Sequence, residues 1–135
     1  MDNKTNAEKV KEFMQTFHQE VKEKPGNPGR DISDLRFELI QEEVEELEVA
    51  LDDYDIDRTK EDFVKIADAL TDILYVVYGA AHSFGIPIDE CFQEVHRSNM
   101  TKADKDGNPI YRSDGKIMKS DRYEAPNLEQ FIEHE

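Results

Sequence analysis

The sequence predicts an all-α fold, and three observations predict it. Charged residues make up 36% of the chain and hydrophobic residues 37%, with 9% aromatic and no Trp, a balance that suits helices when the apolar positions are periodic. Those positions recur at three- and four-residue spacing through most of the first hundred residues, which is the period of one helix face. Short Pro/Gly or polar links divide them into four segments, and that number of helices in that length reads as a four-to-five-helix bundle. A single domain over residues 1–135 is expected, with a helical core at about 6–102 and a basic tail at 103–135.

The elements follow in order. Val10, Phe13, Met14, Phe17 and Val21 place a first helix over residues 6–24. The stretch KPGNPGRD at 24–31 breaks it. A second helix follows, with Asp31, Ser33 and Asp34 as candidate N-caps and Phe37, Ile40, Val44, Leu47 and Leu51 as its apolar stripe. DDYDIDRTK at 52–60 is read as a polar connection in which Thr59 can cap the next helix. The third helix runs from about 60 to 83, with Phe63, Ile66, Ala67, Leu70, Leu74, Val77 and Ala81 on one face, and FGIP at 84–87 stops it. Pro87 sits near the first turn of a fourth helix ending close to Thr101. Two short apolar pieces around SDG in the tail predict a hairpin, and the last dozen residues read as loosely attached.

A net charge of −15 excludes a bare nucleic-acid or acidic-membrane binder, since both need a basic footprint. The charge is segregated. Residues 31–72 carry 16 acidic and 4 basic side chains, whereas residues 97–122 carry 7 basic and 4 acidic. The single Cys91 reads as a small core residue. The first residues hold no apolar leader, and no apolar run is long enough for a bilayer, so a cytoplasmic protein is expected. His18, His82, His96 and His134 share no zinc spacing.

The sharpest anomaly lies in ADALTDILYVVYGAA, residues 67–81. Asp68 and Asp72 are the only formally charged side chains between Ile66 and Ile88. They lie almost opposite the apolar stripe, in a row continued by Tyr75 and Gly79. That side lacks the Lys and Glu of a solvated face, so it too is expected to be covered, by other helices or by another subunit. Buried carboxylates one turn apart need a cationic side chain or a divalent metal between them. The second helix supplies EEVEELE, in which Glu43 and Glu46 flank the apolar stripe and can converge on Asp72. Hard oxygen donors from two helices suit Mg²⁺ or Mn²⁺. The alternative is a solvated acidic face.

LIQEEVEEL followed by DALTDILYVVYG resembles the all-α nucleoside triphosphate pyrophosphohydrolases, the superfamily of the MazG-like proteins, the dimeric dUTPases and the phosphoribosyl-ATP pyrophosphohydrolases. Their signature is E-x-x-E on one helix and E-x-x-D on the next. It maps onto Glu43, Glu46 and Asp72, with Ala69 where the remaining Glu would stand and Asp68 beside it. EVHRSNMTK adds a match at Asn99 and Lys102, Tyr75 matches a position near substrate, and Arg36 in LRFELIQEE is a further match. The resemblance implies an Mg²⁺-dependent enzyme, with Mn²⁺ as a substitute, that cleaves a nucleoside triphosphate to monophosphate and pyrophosphate. In that reading Glu43, Glu46, Asp72 and Asp68 are the metal and catalytic carboxylates. Asn99, Lys102, Tyr75 and Arg36 bind substrate, and the protein is a homodimer or homotetramer. Two alternatives stand beside it: a phosphoribosyl-ATP pyrophosphohydrolase-like enzyme, and a non-catalytic helical dimer with a vestigial metal site, which Ala69 favours.

Overall fold

The computed structural model describes residues 2–132. It holds five helices: α1 (Asn6–Thr16), α2 (Arg30–Asp57), α3 (Lys60–Phe84), α4 (Ile88–Met100) and the single turn α5 (Glu129–Ile132). The only extended pairing among the described residues is one antiparallel bridge. The chain is therefore all-α. It forms two compact units, one ending at Ile86 and the other beginning at Pro87.

In the first unit, α1 opens on a capping box. The Thr5 hydroxyl accepts from the Glu8 amide at 3.1 Å and the Glu8 carboxylate accepts from the Thr5 amide at 2.8 Å. Ala7, Val10 and Met14 are its buried side. The helix stops at Thr16, well short of the expected 24, because Phe17 leaves helical geometry and His18 turns to a φ of +62°. The Gln19 amide then bonds back to the Met14 carbonyl. The following segment is a strap laid on the end of α3. Lys22 and Gly26 donate to the carbonyls of His82 and Phe84. Gly85, at φ +69°, leaves room for the Lys24 carbonyl, which lies 2.1 Å from where a Cβ would stand.

Helix α2 is longer than its apolar stripe suggested. None of the three expected caps is used: the helix begins at Arg30 after Gly29, without a side-chain cap, and Asp34 pairs instead with Arg30 at 3.0 Å. The acidic run 52–57 continues the helix to Asp57, because its carboxylates point largely outward and Arg58 then takes the left-handed cap position. Tyr54 and Phe63 meet edge to face at 5.3 Å across the two-residue link, which fixes α2 and α3 as antiparallel neighbours. Thr59 caps α3 as expected, accepting from the Asp62 amide at 3.1 Å.

The two long helices are turned about one residue from the orientation their apolar stripes suggest. The inward row of α2 runs through Arg36, Ile40, Glu43, Leu47 and Ala50, while Phe37, Val44 and Leu51 are exposed. On α3 the covered row holds Asp62, Ala69, Asp72, Val76, Gly79 and Ser83, and Phe63, Leu70 and Leu74 face out. The small residues Ala50, Ala69 and Gly79 let the helices approach closely. Of the row expected to be covered, Asp72 and Gly79 are covered within one chain while Asp68 and Tyr75 are exposed, as are Phe63, Leu70 and Leu74 of the apolar stripe.

In the second unit, α4 follows Pro87, and the tail is tied to it at Glu124 and Asn127 rather than loosely attached; residues 133–135 lie outside the described residues. The Ser98 hydroxyl donates to the Glu124 carbonyl at 2.8 Å, the Glu124 amide donates to the Thr101 hydroxyl at 2.9 Å, and the Asn127 amide donates to Glu94 at 2.7 Å. Arg97 ties Glu94 and Glu124 together, at 2.8 Å to each. Farther out, Tyr111 bridges Ile117 across the SDG turn, where Arg112 and Asp114 pair.

Candidate active site

Three carboxylates converge where α2 faces α3. Glu43 and Glu46, one turn apart, and Asp72 opposite them each offer one oxygen, all within 4.8 Å of one another. Glu43 and Asp72 are partly covered and Glu46 is exposed. The Glu43 Oε2 atom is buried and finds no hydrogen-bond donor among the described residues. Burial pushes the Glu43 carboxyl above its ordinary range, and the charges of Glu46, Asp72 and Asp68 push it further. Asp72 is raised for the same reasons, with burial first, then Asp68 and Glu46. No ion pair among the described residues reaches these groups. A hard cation fits the donor set and the orphaned oxygen.

Asp68 is exposed and outside the converging three, yet close enough for its charge to raise both Glu43 and Asp72. Ala69 is 4% exposed on the covered side and brings no oxygen to the cluster.

Glu43 and Asp72 also line a cavity of about 280 Å³, together with Arg36, Tyr75, Gln19 and Phe13. Phe13 meets Tyr75 edge to face at 5.6 Å. The Arg36 side chain is buried, and its hydrogen bonds go to neutral groups: Nε to the Ser83 hydroxyl at 2.8 Å and Nη2 to the Gln19 Oε1 at 3.1 Å. Burial lowers its pKa, and no carboxylate offsets that. Gly79 makes the placement possible, since a Cβ there would lie 2.9 Å from Arg36 Nη1. Arg36 and Tyr75 thus share the cavity with the acidic cluster. Gln19 and Phe13 carried no signal in the sequence, because Gln19 lies past the true end of α1 and Phe13 reads as one more apolar position. Gly79 was visible as a glycine in an apolar helix, without a reason attached.

Asn99 and Lys102 belong to the second unit, at the C-terminal end of α4. Asn99 is exposed, and its carbonyl accepts from the Lys102 amide at 3.1 Å. His18 is exposed, and the His82 ring donates to the Ala7 carbonyl at 2.7 Å. His134 lies outside the described residues. Cys91 is buried, and burial raises its thiol pKa. No described helix is long and apolar enough to cross a membrane.

Residues 10–99 match the family model described as phosphoribosyl-ATP pyrophosphohydrolase. The chain is also 33% identical over 129 residues to an uncharacterized protein, L479, of Acanthamoeba polyphaga mimivirus. That similarity covers 86% of this chain and 43% of the viral protein, so the chain spans less than half of that relative's length.

Proposed function

The chain belongs to the phosphoribosyl-ATP pyrophosphohydrolase family, and from that premise we propose that it is a Mg²⁺-dependent enzyme that cleaves a nucleoside triphosphate to the monophosphate and pyrophosphate. The observation that carries this reading is the Glu43–Glu46–Asp72 cluster with its buried, unpartnered oxygen. Three carboxylates held this close without a cation repel one another, and a scaffold gains nothing from keeping them there. Glu43, Glu46 and Asp72 would hold the ion, and Mn²⁺ suits the same oxygens. When bound, it supplies charge neutralisation for the polyphosphate and a lowered pKa for a water.

The chain's own groups do the rest. Asp68, at the exposed edge of the cluster, accepts the proton of the attacking water. From the family resemblance alone, Asn99 and Lys102 are proposed as sugar and phosphate contacts, Lys102 as a charge clamp. Arg36 and Tyr75 hold the remainder of the nucleotide in the cavity. The outward apolar rows of α2 and α3 are covered in a homodimer or homotetramer.

A second reading keeps the chemistry and changes the substrate to phosphoribosyl-ATP, and the family's own description supports it. Pyrophosphate release from a panel of nucleoside triphosphates and phosphoribosyl-ATP, with Mg²⁺, Mn²⁺ or EDTA, separates the two. Asp72→Asn is expected to abolish metal-dependent release with an unchanged circular dichroism spectrum. Turnover equal to the parent's would remove the carboxylate assignment. A folded parent that releases nothing from any substrate would leave only the non-catalytic reading that Ala69 favours.

A further inference from the structure

Arg36 is a buried cation whose protein partners are a hydroxyl and an amide. A guanidinium has five N–H donors and no acceptor, so Gln19 has to turn its carbonyl oxygen toward it. The Gln19 amide NH₂ is then left without a hydrogen-bond partner among the described residues. Arg36 Nη1 lies beside Gly79, which lines the same cavity, and likewise donates to no described residue. This end of the cavity therefore offers donors only. Phe13 and Tyr75, packed edge to face, supply an aromatic wall beside it. A volume of about 280 Å³ is at the small end for a ligand site and suits one ring system rather than a whole nucleotide.

On the reading that the cluster holds a nucleotide's polyphosphate, we infer that Arg36 and Gln19 read the acceptor edge of its base, selecting a keto oxygen at the purine 6 or pyrimidine 4 position over an amino group there. A phosphate is a poorer occupant of this end, because Phe13 and Tyr75 line the same cavity and suit a ring rather than an anion. A keto base brings a ring to that wall and gives the guanidinium an acceptor. Guanine, hypoxanthine, uracil and thymine qualify. Adenine and cytosine would direct an exocyclic NH₂ at N–H groups, leaving donors unpaired on both sides. Sites built to hydrogen-bond one group reject an analogue that cannot match it more strongly than apolar pockets reject a change of shape.

The test is the affinity of the α,β-imido analogues of dUTP, dGTP, dCTP and dATP, measured by calorimetry with Mg²⁺. The keto analogues are expected to bind about tenfold to a hundredfold tighter than the amino ones. In Gln19→Glu, one carboxylate oxygen stays on Arg36 and the other becomes an acceptor, so the ratio is expected to fall about tenfold. Gln19 is solvent-exposed, which keeps that variant folded. Equal affinities in the parent, no binding of any analogue, or an unchanged ratio in Gln19→Glu would each overturn the inference. Base-selective binding without hydrolysis of the natural nucleotides would instead overturn the hydrolase reading and leave this one standing.

Discussion

Glu43 shows at the scale of one residue what the site costs the fold. Its carboxyl and that of Asp72 are held above the ordinary range by burial and by each other's neighbours. The sign follows from linkage. A carboxyl whose folded pKa is raised contributes stability that is complete below its ordinary value and is lost as pH rises through the raised one. The metal-free protein is therefore expected to melt at a lower temperature at about pH 7 than at about pH 5, with Mg²⁺ reversing much of the loss. An ion at a hundred times its dissociation constant stabilises the folded state by about 2.7 kcal/mol. Glu43→Gln removes the buried charge, so it should raise the metal-free melting temperature at neutral pH and abolish the Mg²⁺-dependent rise. Thermal melts with and without Mg²⁺ at the two pH values check both. The residues carrying this effect were legible in the sequence, because a carboxylate in apolar company is an anomaly. Gln19 was not, because an exposed glutamine after a helix is unremarkable until a guanidinium is found against it.

At the scale of elements, the ends of helices were harder to read than their cores. The helix expected over 6–24 ends at Thr16, and the strap that follows is secured by backbone bonds to the end of α3. That explains Gly85. Gly85→Ala would strain a φ of +69° and drive a Cβ into the Lys24 carbonyl. It is expected to lower stability by about 2 kcal/mol or more, read from the denaturation midpoint. In the second unit, Arg97 and the Asn127 amide hold the Glu94 carboxyl down to about 2. A depressed carboxylate contributes stability that is present above the ordinary value near 4.5 and lost as pH falls toward 2. The tail should therefore stay docked on α4 at pH 5 and above. Glu94→Gln should speed hydrogen exchange at the Asn127 amide at neutral pH and flatten its acid dependence.

At the scale of the molecule, the apolar surface is the feature that a single chain leaves unexplained. Phe37, Val44 and Leu51 on α2 and Phe63, Leu70 and Leu74 on α3 are each about half exposed or more. They recur every seven residues on α2, and on α3 at intervals of seven and four, which makes continuous rows rather than scattered exposures. Rows of this kind mark association surfaces. In the proposed homo-oligomer a second copy of the chain buries them and offsets the cost of turning Arg36, Glu43 and Asp72 inward. Leu70→Arg is expected to shift the sedimentation coefficient to that of a monomer and to lower the melting temperature. An unchanged sedimentation coefficient would remove this surface from the interface.

The sequence by itself determined the helical class, the position of the helix cores and the three carboxylates that converge. Each rests on local periodicity or on a local violation of it, and both survive without knowledge of partners. Only the tertiary structure decided which face of each long helix points inward. Apolar periodicity identifies a face that needs covering and is silent on whether the cover comes from the same chain. Arg36, Gly79 and Gln19 came together for the same reason. Their residues are 17 to 60 positions apart, and their meaning lies in a buried guanidinium, the missing Cβ that admits it and the amide that turns to meet it.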